Sequence, residues 1–487
     1  MSKNTSEYPD GQDPTRWRAL FVIAISQLMV VLDASIVNIA IPKAMVDLHI
    51  SRANTQWIIT AYTLAFGSLL LLGGRIADFV GRKKVFIIGL AGFAAASALG
   101  GFATTQGMLF GARALQGVFG ALLAPAALSI INVTFTVPKE RAKAFGVYGA
   151  IAGGGAAIGL ILGGVLTQYA SWRWCLGVNV PIALIAILLA IPFVHESRAD
   201  GDHSYDIPGA ITVTIGLVSL VYGFSRAATY GWGKVSTYQF FILAAIFIVA
   251  FFYMESKAKG PLLPVRVLAE RNRGGSYLAT LLVGSGLFTM FFFLSLYFQQ
   301  ILGFSALKSG FAFLPFSMGV IAFAGVAAKL LPKLGARPLM LTGLLMAIVG
   351  LLLLSRITPT SSYLTHVLPS LIVMSTGLAL VFIPSATAGL HGIEQRDSGV
   401  ASALINTSQQ IGGSLGAALL NTVAVTATAS YAVAHGVAGN DPKGLVEGWT
   451  LAFRYGAGFL ALAALVVFFA INAGKDVLVE HEGVVMH

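Results

Sequence analysis

Residues 20–42 read LFVIAISQLMVVLDASIVNIAIP. The run is long enough to cross a bilayer core as a helix, which takes about 20 predominantly apolar residues. A single ionisable group, Asp33, lies inside it. A carboxylate at the centre of a membrane helix costs about 3 kcal/mol on insertion scales, so an acid in that position is a functional candidate by default. The plainer alternative is an acid that only hydrogen-bonds a neighbouring helix. No other carboxylate falls deep within an apolar run, which favours the functional reading.

The rest of the chain repeats this apolar character. Of its 487 residues 56% are hydrophobic and 10% charged, against about 25% charged in soluble domains. A polytopic, all-α membrane protein is the class that fits. Apolar runs predict fourteen transmembrane helices, near 20–41, 55–73, 85–101, 108–131, 144–168, 176–194, 208–226, 236–254, 276–298, 310–331, 338–356, 366–390, 399–425 and 453–474. Residues 426–452 read as a long, mixed loop. The polar stretch 1–19 offers no cleavable signal, so the first span is expected to direct insertion.

The net charge of +11 does not point to nucleic acid, because the basic residues are spread over short loops. Arg75, Arg82, Lys83 and Lys84, then Lys139, Arg141 and Lys143, then Lys257, Lys259, Arg266, Arg271 and Arg273 fall in alternate loops. That asymmetry places both tails, 1–19 and 475–487, in the cytoplasm of a cell membrane. Cys175 is the only cysteine, so no intrachain disulfide forms and no cysteine-based metal site is expected. HExxH and P-loop patterns are missing. The expectation is a protein that is not an enzyme, uses no cofactor or metal, and does not hydrolyse ATP directly.

An internal echo divides the chain. GRIADFVGRKK (74–84) follows the second span and AKLLPKLGARP (328–338) follows the tenth. Gly81 matches Gly335, Arg75 matches Lys329 and Lys83 matches Arg337, while Pro332 stands opposite Asp78. Two six-helix bundles (20–194 and 276–474) with two inserted helices and their loops (195–275) follow from that repeat, an arrangement common in transporters.

The segment Gly74 to Lys84 also carries a resemblance. Its G-x-x-x-D-x-x-G-R-K-K pattern resembles the loop signature of the major facilitator superfamily, which implies that fold and a conformational latch formed by Gly74, Asp78, Gly81, Arg82 and Lys83. Four further stretches are similar to that superfamily's fourteen-span drug:proton antiporters: Leu32 to Pro42, Leu109 to Gly117, Ser171 to Pro181 and Asp206 to Gly209. Gly155, Gly159, Gly163 and Gly164 resemble the antiport motif of the fifth span, with Leu160 where a proline is expected. Whatever their role, glycines four residues apart make one smooth helical face for close packing.

Arg113 lies inside the fourth span at a depth similar to Asp33, and buried charges need partners. The two are expected to form a proton-coupling pair unless Arg113 snorkels to the interface. Candidates for a substrate cavity are Asn38, Trp57, Tyr62, Gln116, Phe291, Tyr297, Asn406 and Gln409, since aromatic faces attract organic cations. The sequence reading is proton-coupled efflux of lipophilic, cationic or neutral organic compounds by a monomer in the lipid bilayer, with protons as the coupling ion. In it a substrate cation competes with the proton for Asp33, and dications are handled weakly. The alternative is an exporter dedicated to one natural product or lipid.

Overall fold

The computed structural model describes residues 15–198, 206–258, 261–263, 265–393 and 398–472. Most of both tails lies outside the described residues. Every regular element described is helical. The first group is α1 (Arg16–Asp47), α2 (Trp57–Val80), α3 (Arg82–Gly101), α4 (Gln106–Thr134), α5 (Pro138–Tyr169), the short α6 (Trp174–Gly177) and α7 (Asn179–Phe193). Next come α8 (Ile207–Tyr230), α9 (Val235–Lys257) and the short α10 (Val265–Ala269). The last group is α11 (Arg271–Leu296), extended by a π turn at Tyr297–Ile301, then α12 (Ala306–Leu334), α13 (Ala336–Leu354), α14 (Leu368–Leu390), α15 (Ser398–His435) and α16 (Pro442–Ala470). Thirteen helical segments among the described residues are long and apolar enough to cross a membrane, and α5 adds an apolar stretch over Gly154–Tyr169.

Local chemistry sets the helix ends. Thr105 and Ser305 accept from the backbone N–H groups of Met108 and Lys308, capping α4 and α12. Gly81 and Gly335, matched in the sequence echo, sit between α2 and α3 and between α12 and α13 with φ of +124° and +81°. That backbone region favours glycine because a Cβ is strained there. The echo is therefore structural: the same turn recurs in both halves.

One expected feature is corrected. Residues 426–452 are not a long loop: α15 runs on to His435 and α16 starts at Pro442. The start is fixed by Asp441, whose carboxylate accepts from the N–H groups of Lys443 and Gly444, with Pro442 in the first helical position.

α1–α7 form one bundle and α11–α16 the other, with the α8–α9 hairpin set against α2 and α15. The bundles meet through α2 against α15, α5 against α12 and α1 against α11. These contacts concentrate at the end of the molecule where α1 finishes, here called the far end. A Cβ added to Gly164 would touch Leu307, and one added to Gly310 would meet the backbone of Leu160. Thr63 and Ser414 share a 2.6 Å hydrogen bond, and the Asn421 amide donates to the carbonyl of Arg52 at 3.0 Å. Toward the other end, where the basic loops lie, Gly146 and Gly154 of α5 and Gly325 of α12 face open space. The two bundles are in contact at the far end, and toward the basic end α2 and α15 still pack through Leu71, Ala401 and Leu404.

Candidate functional site

α1 carries Asp33 into the middle of the first bundle, where it is completely buried. Arg113 of α4 reaches it with Nη1 at 2.6 Å from Oδ2. The Gln116 amide donates to Oδ1 at 2.8 Å, and the Asn179 amide of α7 donates to the same oxygen at 2.8 Å. Arg113 also donates through Nε to the carbonyl of Ile58 at 3.0 Å and through Nη1 to Gln116 Oε1 at 2.8 Å. The ring of Tyr62 lies 4.6 Å beneath the guanidinium. Ser97 of α3 accepts from the Gln116 amide at 2.7 Å. Five helices thus meet at one carboxylate, and every partner of that carboxylate is a donor. The carboxylate accepts from a guanidinium and two amides, while Asn179 Oδ1 is buried beside it without a partner.

This knot corrects one expectation. A substrate cannot compete with the proton by touching Asp33 in this conformation, because side chains of its own bundle occupy both carboxylate oxygens. A small cavity lined by Val37, Ala40, Ile58, Leu109 and Trp172 lies on its far side, and its lining is apolar.

The glycine face packs as its spacing implies. Cβ atoms on Gly155, Gly159 and Gly163 would meet Val31, Ser35 and Ile36 of α1, respectively, while Gly164 faces α12. The close approach of α5 therefore bears on the helix that carries Asp33. Leu160, in the place of the expected proline, is buried against the second bundle near Gly310.

The loop residues Gly74, Asp78, Gly81, Arg82 and Lys83 are held within the first bundle. Arg82 pairs with Asp78 at 2.8 Å. Glu196, beyond α7, accepts from the backbone N–H groups of Lys83 and Lys84 at 3.1 and 3.2 Å. The Lys83 ammonium donates to the carbonyl of Ile191 at 2.6 Å. Arg75 reaches the carbonyl of Pro261 in the α9–α10 connection at 3.5 Å.

The cavity candidates separate into groups. Tyr62 and Gln116 belong to the knot and are buried. Trp57 donates from its indole N–H to Ser225 of α8 at 3.1 Å, so it faces the inserted hairpin rather than a central cavity. Tyr297 is buried, its hydroxyl donating to the carbonyl of Thr358 at 2.8 Å, which removes it from any wall. Asn38 is buried where α1 meets α11, with its Oδ1 unpaired. Phe291 is half-buried against Phe313 and Phe316 of α12. Asn406 is exposed and Gln409 half-buried on α15. Phe291, Asn406 and Gln409 keep an accessible surface, as does Trp57 beside the hairpin.

Several residues of the site were not singled out in the sequence. Asn179 entered only within the Ser171 to Pro181 stretch, with no role of its own. Ser97 and Glu196 gave none. Asp206 and Glu255, at adjacent ends of the α8–α9 hairpin, are also buried, so Asp33 is not the only enclosed acid.

Comparison with known proteins accords with this architecture. Residues 23–417 match the model of the Major Facilitator Superfamily. The chain is 46% identical over 470 residues to the puromycin resistance protein pur8 of Streptomyces alboniger, covering 96% of this chain and 93% of that one. It is 35% identical to the cephamycin export protein CmcT of Amycolatopsis lactamdurans, covering 94% and 92%. Among solved structures, a bacterial homologue of the human lysosomal transporter Spinster, inward-facing and unoccupied, superposes with a TM-score of 0.66 at 16% identity, covering 96% of this chain and 98% of that one. With two helical bundles, a family match across most of its length and relatives that export or resist antibiotics, this chain belongs to the major facilitator superfamily of membrane transporters.

Proposed function

We propose that this protein is a secondary exporter of the fourteen-span drug:proton antiporter type, and that it moves lipophilic cationic or neutral organic compounds, antibiotics among them, out of the cytoplasm. The reading places it in the cell membrane as a monomer with both tails inside. The asymmetry of Lys and Arg supports that orientation. The basic end is then cytoplasmic, the far end faces outward, and the conformation described is closed to the outside.

The observation that carries the proton role is the complete burial of Asp33 among Arg113, Gln116 and Asn179 of its own bundle. In alternating access the acid gives up its proton before or on reaching this state, and Arg113, Gln116 and Asn179 then close on the carboxylate. Protonation from the outside makes one of those donors redundant. That loosens the contact of α1 with α4 and α7, and so biases the bundles toward the other state. Substrate and proton are coupled through helix position rather than through a shared contact, since the accessible residues Phe291, Asn406 and Gln409 lie apart from the knot.

Substrate-driven proton movement in proteoliposomes tests this. Asp33→Asn retains shape and polarity but cannot ionise. The expected result is loss of uphill efflux with substrate binding retained. A variant that still drives efflux up a gradient at the expense of a proton gradient would refute the proton role.

A second reading, export of a single natural product, is favoured by two relatives, the puromycin resistance protein and the cephamycin export protein, each named for one compound or class. Expression in a susceptible host separates the two: resistance confined to one chemical class supports the dedicated exporter.

A further inference from the structure

Pro42 sits inside α1, four residues after Asn38. Proline has no N–H, so the carbonyl of Asn38 loses the helix donor that would ordinarily reach it. That carbonyl is nonetheless occupied. Ser295 of α11, fully buried, donates its hydroxyl to it at 2.5 Å. One turn further along α11, Gln299 donates its amide to the adjacent carbonyl of Ile39 at 3.1 Å. The two donors belong to one bundle and the two acceptors to the other. Immediately outside this contact lies a cavity of about 160 Å³ between the bundles, lined by Met45, Arg52, Phe292, Leu296 and Gln300 among others. The packing between α1 and α11 is therefore tight at the two carbonyls and loose just beyond them.

We infer that Ser295 and Gln299 form an outer gate clasp on the Asn38 carbonyl freed by Pro42 and on the adjacent Ile39 carbonyl, made while the outside is closed and broken when it opens. The inference rests on the alternating-access reading above. A proline at this position supplies an acceptor that any sequence at Asn38 would present, so gating depends on backbone rather than on a second matched side chain. Separation leaves the Asn38 carbonyl unsatisfied unless water enters the opened cleft. The bond thus favours closure while the gap is dry and has little value once the gap is wet.

The test is the distance between spin labels placed at the outer ends of the two bundles, on Val46→Cys and Val433→Cys, both at exposed positions. Cys175 is buried and stays in place. The label pair is read in otherwise wild-type protein across pH and with an aromatic cation added. Ser295→Ala is expected to raise the ratio of outer-open to outer-closed molecules about fivefold. Pro42→Ala returns a helix donor to Asn38 and is expected to shift the ratio the same way, while Ser295→Thr retains the hydroxyl and the wild-type ratio. The Ser295→Ala and Pro42→Ala double variant is expected to shift no further than one of them alone. Two populations in wild type that Ser295→Ala and Pro42→Ala leave unchanged would overturn the clasp alone. One unchanging distance in every protein and condition would overturn alternating access and the clasp with it.

Discussion

The two bundles are built to one plan and filled differently. At mid-depth the first holds a charged knot of Asp33, Arg113, Gln116, Asn179 and Ser97, all buried. The second holds aromatic rings. Phe293 meets Phe453 edge to face with ring centres 6.1 Å apart, and Phe298 lies 5.1 Å from Phe313. Among its described residues the second bundle buries hydroxyl groups and one amide, Asn421, but no charge. A charged cluster can change state when a proton arrives. An aromatic core cannot, but it offers a stiff wall with polarisable faces. In the proposed function, the chemistry of coupling falls to the first bundle and a structural or substrate-contacting role to the second.

The strongest way to break that assignment is to remove one member of the charged pair. Arg113→Gln leaves Asp33 enclosed with its counter-charge gone, and breaking a buried pair from one side costs about 3–5 kcal/mol. The double variant Asp33→Asn, Arg113→Gln removes both charges and is expected to recover most of that stability while remaining unable to drive uphill efflux. Denaturant unfolding of the detergent-solubilised protein, with efflux measured in parallel, checks both parts. Equal stability losses in the single and double variants would show that the knot acts as packing rather than as paired charge.

Smaller effects sharpen the comparison at the glycine faces. A Cβ on Gly159 would collide first with the Ser35 hydroxyl of α1, whereas one on Gly412 of α15 would run into the backbone carbonyl of Leu281. Each alanine substitution is expected to cost about 1–3 kcal/mol from overpacking. Ser35→Ala should rescue Gly159→Ala in part, because the obstruction is a side chain. No side-chain change should rescue Gly412→Ala. A thermal unfolding series reads all four proteins.

The wall itself is probed at Phe291, whose ring lies 5.1 Å from Phe313 and 5.2 Å from Phe316. Phe291→Leu removes aromatic contacts worth about 0.5–1.5 kcal/mol, roughly two- to tenfold in affinity for an aromatic compound that uses them. The expected result is altered efflux among substrates at an unchanged ratio of protons moved to substrate moved. A changed ratio would carry the coupling into the second bundle and dissolve the contrast.

How much of this could be read in the sequence follows from the same contrast. Asp33 and Arg113 stand out because a charge in an apolar run has few explanations, and their similar depth implied the pairing. Glycines at fixed spacing announced a packing face for the same reason. Aromatic residues carry no such signal: Phe, Tyr and Trp serve lipid, core and cavity alike, so Trp57 and Tyr297 could not be distinguished from Phe291 without coordinates. The amides and hydroxyls were equally mute, since Asn179 and Ser97 matter through where α7 and α3 place them. The extension of α15 to His435 was hidden by a run of alanine, threonine and serine, which lowers hydropathy without stopping a helix. Its neighbour's start, Asp441-Pro442, fell inside the stretch read as loop and was missed with it.

The smallest effect concerns how each bundle starts a helix near the basic end. α3 begins under Glu196, and α11 begins under Glu270, which accepts from the N–H groups of Asn272 and Arg273 at 3.0 and 2.8 Å. Burial pulls the Glu270 carboxyl upward, but these N–H groups, the Asn272 amide and the Arg273 guanidinium outweigh it and hold the carboxyl below its ordinary range. A carboxylate lowered in this way stabilises the fold at pH values above its unfolded pKa of about 4.3. The contribution fades as pH falls through the lower, folded value. Glu270→Gln is therefore expected to cost about 0.5–1 kcal/mol at pH 7 and low salt, as for loss of a charged cap. The gap between variant and wild type should shrink as the pH drops below 4. A gap that persists into strong acid would mean that the side chain acts through shape and not through charge. The start of α11 would then owe its stability to packing, as the aromatic interior of the same bundle does.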